Sequence, residues 1–116
     1  MTSYASPAVT DTVLNFIDGT YREGSEGKSF PNFNPATGEQ IGLVQEASAD
    51  DVADAVAAAR NALNGRWGSM TTSERVKLIT AVAAEIERRS DDFLAAEVAD
   101  TGKPRAVAAH IDIPRG

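Results

Sequence analysis

The stretch Asn34-Pro35-Ala36-Thr37-Gly38-Glu39-Gln40-Ile41-Gly42-Leu43-Val44-Gln45-Glu46-Ala47-Ser48-Ala49-Asp50-Asp51-Val52 decides how the chain is built. Its first five residues read as a turn, because Pro presets φ and Gly accepts positive φ where the chain returns. Ile41 to Val44 is a short β-prone run. Ser48 then offers a hydroxyl as a helix cap, with Asp51 three residues on. The composition changes at the same place. Of 20 alanines, four lie in residues 1–47 and the rest follow. The stretch therefore separates a strand-and-turn part from a helical part.

Toward the N-terminus, Leu14-Asn15-Phe16-Ile17 is β-prone and is closed by the turn pair Asp18-Gly19. Thr20-Tyr21-Arg22 resumes it. A polar loop, Glu23 to Gly27, leads to Ser29-Phe30-Pro31-Asn32-Phe33, where Pro31 suggests an edge strand or a bulge. A small antiparallel sheet over residues 14–45 is the expectation. Met1 to Thr12 has no basic residue and no apolar core, so it is not a secretory signal. Residues 1–12 read as a disordered lead-in.

Toward the C-terminus, Val52, Val56, Ala59 and Leu63 form one apolar stripe, and Asn64-Gly65 ends that helix. Thr71-Thr72-Ser73-Glu74 is a capping box that opens the longest helix. Val76, Ile79, Val82 and Ile86 are its expected buried face, and Arg88 and Arg89 lie in its last turn. Ser90 is the expected cap of a third helix, with Asp91 and Asp92 behind it. Gly102 ends that one, and Pro104 opens a fourth that runs to about Ile113, where Pro114 stops or kinks it. The helical region is residues 49–113.

The chain has 116 residues, a formal net charge of −6, a pI near 4.6 and no cysteine. The length allows one domain or a piece of a larger one. The acidity argues against a nucleic-acid binder held by phosphate contacts. Without cysteine there is no disulfide framework, thiolate metal site or cysteine nucleophile. Because so many of the hydrophobic residues are alanine, the supply of large apolar side chains is thin. The reading that follows is a chain that does not hold its whole core. No stretch approaches the roughly 20 apolar residues of a membrane span, and a cytoplasmic location follows by default.

Few residues invite chemistry. His110 is the single histidine and has no second ligand beside it, so it reads as an ordinary helix residue. Asp50, Asp51 and Asp54 lie where a helix dipole favours acids. Trp67, between Gly65-Arg66 and Gly68, reads as a plug between helices. Gly24-Ser25-Glu26-Gly27-Lys28-Ser29 ends like a phosphate loop but lacks the upstream glycine, since position 22 is Arg. In Asp100-Thr101-Gly102-Lys103-Pro104 a helix end accounts for Gly102 and Pro104. It does not account for Asp100, an acid where the dipole disfavours one; a neighbouring cation would.

Taken in order, several segments resemble the N-terminal region of the aldehyde dehydrogenase superfamily over about residues 14–116. They are Asn15-Phe16-Ile17-Asp18-Gly19, Phe30 through Gly38, Asp51-Val52 with Ala58-Ala59-Arg60, Glu74-Arg75, and Glu97 with Asp100-Thr101-Gly102-Lys103-Pro104. The ending His110-Ile111-Asp112-Ile113-Pro114-Arg115-Gly116 resembles the family's 2-hydroxymuconic semialdehyde dehydrogenases, which serve catechol meta-cleavage. The resemblance implies an α/β fold, of which this piece is a small antiparallel strand layer followed by three to four helices. It implies NAD(P)-dependent oxidation of a small-molecule aldehyde to a carboxylic acid by a homo-oligomer. The family's catalytic cysteine, its general-base glutamate and most of its cofactor contacts lie further along, so no catalytic or cofactor-binding residue is assigned here. One site maps: a monovalent cation held by the backbone carbonyls of Asn32 and Phe33 and by Asp100. The chain alone is expected to be inactive. The alternative is a free-standing helical interaction module derived from the family.

Overall fold

A computed structural model describes residues 12–116. The expected lead-in lies outside the described residues except for Thr12, which instead opens a strand. The strands are β1 Thr12–Val13, β2 Asn15–Ile17, β3 Thr20–Arg22, β4 Ser29–Phe33 and β5 Gln40–Gln45. The helices are α1 Ala49–Asn64, α2 Arg66–Ser69, α3 Thr72–Arg88, α4 Ser90–Thr101, α5 Arg105–Val107 and α6 Ile113–Arg115, with a π-helical turn Ala108–Asp112 before the last. Among the described residues no helix is long and apolar enough to cross a membrane.

The strands form two sheets where one was expected. β2 and β3 pair alone and antiparallel, with Phe16 opposite Tyr21, and the other sheet has the order β1-β5-β4. Asp18 and Gly19 both have positive φ, 52° and 77°, which matches the right-handed twist of a two-residue hairpin. Pro31 lies in β4, at an edge of the three-stranded sheet, as its missing N–H requires.

The described residues group into two compact units. The first comprises residues 12–30 and 44–82. Its organising group is Asp51, which is buried. Ser48 caps α1 and Asp51 completes the box, the Ser48 N–H donating to its carboxylate at 2.8 Å. The same carboxylate accepts from the Ser25 N–H at 2.9 Å and the Ser25 hydroxyl at 3.1 Å. The Ser25 and Ser48 hydroxyls are 2.7 Å apart. The loop after β3 is thus tied to the start of α1. These donors, the Ser25 and Ser48 amides foremost, hold the Asp51 carboxyl at about 2, below the ordinary 3.8. Ionised Asp51 therefore stabilises fully above the ordinary aspartate range, and this contribution is lost as pH falls through about 2. An Asp51→Asn variant is expected to be less stable at neutral pH and to lose less on acidification. Urea unfolding at a series of acidic pH values checks this, and parallel pH curves for parent and variant would contradict it.

In the same unit, Glu74 closes the Thr71 capping box, taking the Thr71 N–H at 2.8 Å and its hydroxyl at 2.9 Å. Trp67 sits in the short helix α2 rather than in a loop. It is half-buried, and the Arg75 guanidinium of α3 lies 4.9 Å from its ring centre and donates to its carbonyl at 3.1 Å.

The second unit comprises residues 31–43 and 83–116. α3 and α4 are separated by Arg89 alone, and Ser90 is already helical. Arg89 serves both helices: its N–H donates to the Glu85 carbonyl, and its own carbonyl accepts from Asp92 and Phe93. No serine cap is needed where the residue that follows the first helix is itself the N-cap of the next. Further on, Pro114 does not stop the chain from coiling. It has no N–H for the carbonyl of His110, and the backbone passes through the π-helical turn before it, the Ile113 N–H reaching Ala108.

The apolar faces expected to be buried are open. Val76 and Ile79 on α3 are 58% and 59% exposed, and Val52, Val56 and Leu63 on α1 are also exposed. Among the described residues the buried apolar side chains are Leu94 and Ala108. The helical periodicity holds, but nothing described covers it.

Candidate functional site

The site is built where the turn after β4 and the end of α4 meet, both within the second unit. Asn34 shapes the turn. Its side chain accepts from the Ala36 N–H at 2.9 Å, its carbonyl takes the Gly38 N–H at 2.8 Å, and its own N–H donates to Glu39 at 2.9 Å. α4 ends on Gly102, which adopts the left-handed conformation with φ 68° and donates to the Val98 carbonyl at 3.0 Å. A Cβ on Gly102 would lie 3.0 Å from Pro35 Cγ and 3.1 Å from the Ala36 nitrogen. The absence of a side chain lets the helix end approach the turn.

This approach brings Asn32 and Asp100 together. The Asn32 side-chain amide donates to Asp100 Oδ1 at 2.7 Å. Asp100 thereby gains a donor against the unfavourable field at the helix C-terminus. Phe33 is the next residue and the last of β4. Of the three residues expected to share a cation, Asn32 and Asp100 are in direct hydrogen-bonded contact, and Phe33 follows Asn32 in sequence. The contact that joins them runs through the Asn32 side-chain amide, not through a main-chain carbonyl. Among the described residues no three His, Asp or Glu side chains gather as a multivalent metal site.

Lys103 completes the end of α4. Its ammonium reaches Asp112 at 2.9 Å and Glu97 at 3.4 Å, and these partners, Asp112 first, raise its pKa. The Thr101 hydroxyl donates to the Glu97 carbonyl at 2.7 Å. Lys103 thus ties the last turns of α4 to the π-helical turn. Nothing local in the sequence announced this, because Asp112 lies nine residues on. His110 is exposed in the π-helical turn, Asp54 pairs with Arg22 at 3.1 Å, and Gly24–Ser29 is a loop held by Asp51.

The strand layer, the helices after it and this turn-to-helix junction agree with the class of protein that sequence matching finds. The aldehyde dehydrogenase family model matches residues 21–116, and the chain belongs to that family. A 2-hydroxymuconic semialdehyde dehydrogenase from Pseudomonas sp. (strain CF600) is 48% identical over 90% of this chain and 21% of its own length. A 2-aminomuconic 6-semialdehyde dehydrogenase from Pseudomonas sp. is 49% identical over 88% of this chain and 20% of its own. An aldehyde dehydrogenase from Bacillus cereus, solved as an NAD+ complex, superposes with a TM-score of 0.86 at 39% identity. That match covers 90% of this chain and 21% of that one. The chain spans about a fifth of the length of these relatives.

Proposed function

We propose that the chain is the N-terminal portion of an NAD-dependent aldehyde dehydrogenase that oxidises a muconic-type semialdehyde, 2-hydroxymuconic semialdehyde foremost, to the carboxylic acid. The observation that carries this is the identity of nearly half its residues to two semialdehyde dehydrogenases along almost its whole length. NAD would accept the hydride in the complete enzyme. The residues present here include no cysteine and no Gly-rich phosphate loop, so this portion supplies neither the nucleophile nor a dinucleotide cradle. Its part is architectural, with one candidate ion site: the carbonyls of Asn32 and Phe33 and the Asp100 carboxylate hold a monovalent cation. The complete protein is read as a cytoplasmic homo-oligomer.

The test has two arms. The purified 116-residue chain, given 2-hydroxymuconic semialdehyde and NAD, is expected to form no NADH, whereas the complete enzyme oxidises the semialdehyde. Turnover by the chain alone, or no turnover by the complete enzyme, would overturn the assignment. In the complete enzyme Asp100→Ala is expected to weaken the dependence of activity or thermal stability on K⁺ or Na⁺. An unchanged dependence removes the cation from the proposal and leaves the oxidation intact.

A further inference from the structure

The geometry points to Asn64 as a site of spontaneous deamidation at the junction of α1 and α2, gated by fraying of the helix end. Asn64 is the last residue of α1, is exposed, and is followed by Gly65. Asn15, Asn32, Asn34 and Asn61 are followed by Phe, Phe, Pro and Ala. The reaction needs the backbone nitrogen of the next residue to attack the asparagine Cγ. A following proline has no N–H to lose, and a following side chain obstructs the approach. Gly65 does neither, and a Cβ built on it meets nothing closer than 3.6 Å.

The helix both restrains and permits the step. While Asn64 keeps its helical backbone, the Gly65 nitrogen is turned away from Cγ and its N–H is engaged. That engagement is a single bond to the Ala62 carbonyl at 3.3 Å, beyond the usual range for N–H···O bonds. The last turn of α1 contains no basic residue to complement the carbonyl end of the dipole. Helix ends of this kind open readily. On opening, the Gly65 nitrogen loses its proton and bonds to Cγ, and the bond from Cγ to the side-chain nitrogen breaks. Ammonia leaves with the proton, and a five-membered succinimide remains. Water then adds to either carbonyl, giving aspartate or the β-linked isoaspartate, with no change of oxidation state.

Either product alters the junction. Aspartate places a new negative charge at the C-terminus of α1, where the dipole disfavours it. Isoaspartate lengthens the main chain by one atom just where the Gly65 carbonyl accepts the Ser69 N–H that closes α2. α2 carries Trp67, seated under the Arg75 guanidinium.

The test incubates the complete enzyme in mildly alkaline buffer under native conditions and follows Asn15, Asn32, Asn34, Asn61 and Asn64 by peptide mapping with mass spectrometry. Asn64 is expected to convert before the other four, isoaspartate to exceed aspartate, and Trp67 emission to shift as product accumulates. Gly65→Ala, whose backbone angles suit alanine, is expected to slow conversion severalfold, with an unchanged circular dichroism spectrum. Unfolding the parent in urea should accelerate it. An Asn64 still intact in folded chain after many half-times of its conversion in the urea-unfolded chain would overturn the site. So would earlier conversion at another asparagine. Equal rates in folded and unfolded chain would overturn the gating by the helix end.

Discussion

Gly102→Ala is expected to lower the stability of the chain by roughly 2–4 kcal/mol, from two separate causes. Gly102 has φ 68°, a conformation that costs an L-residue about 1–2 kcal/mol. The added methyl would also stand 3.0 Å from Pro35 Cγ and 3.3 Å from Ala36 Cβ. The turn cannot easily yield, because Asn34 pins it through its side chain and backbone together. Either α4 must end differently or the turn must retreat, and in each case the 2.7 Å contact between Asn32 and Asp100 is stretched. Chemical denaturation of parent and variant checks the stability. A variant that unfolds at the parent's denaturant concentration would show that helix end and turn are not closely apposed.

Gly24→Ala is expected to cost a similar roughly 2–4 kcal/mol, for a purely steric reason. A Cβ on Gly24 would lie 2.0 Å from the Glu46 carbonyl oxygen, and that oxygen belongs to backbone that cannot rotate away. Glu46 is held in turn by its N–H to the Lys28 carbonyl at 2.9 Å. Displacing it would pull the loop off Asp51, so the variant should also lose part of the protection that keeps the Asp51 carboxyl acidic. Denaturation at neutral and at acid pH measures both effects. Parent-like stability at neutral pH would refute the close approach.

What was legible in the sequence was local chemistry. The Ser48–Asp51 and Thr71–Glu74 boxes, the Asp18-Gly19 hairpin and the left-handed Gly102 each rest on residues within three or four positions of one another, and each stands as read. Ser90 shows the limit. It looks like a cap, but α3 ends so close before it that Arg89 serves as the junction. Spacing alone marked Asp100 as an anomaly, since Asn32 lies 68 residues away and no periodicity connects them; the family resemblance placed the two at one site, but through the Asn32 carbonyl rather than the side-chain amide that makes the contact. The stripes of α1 and α3 were legible as faces, but what covers a face is a matter of what stands opposite it. The division into two sheets was hidden for a related reason: strand runs show where chain extends, not which run pairs with which.

Pro31 has a meaning beyond the register of its sheet. A chain with this many uncovered Val, Ile, Leu and Phe side chains is at risk of sticking to copies of itself strand to strand, through an edge whose free donors and acceptors recruit another backbone. β4 is such an edge, and it is rich in aromatic residues. Proline interrupts the row of donors in its middle, so an incoming strand finds a gap where it needs an N–H. The residue that marks β4 as an edge also deprives that edge of a donor.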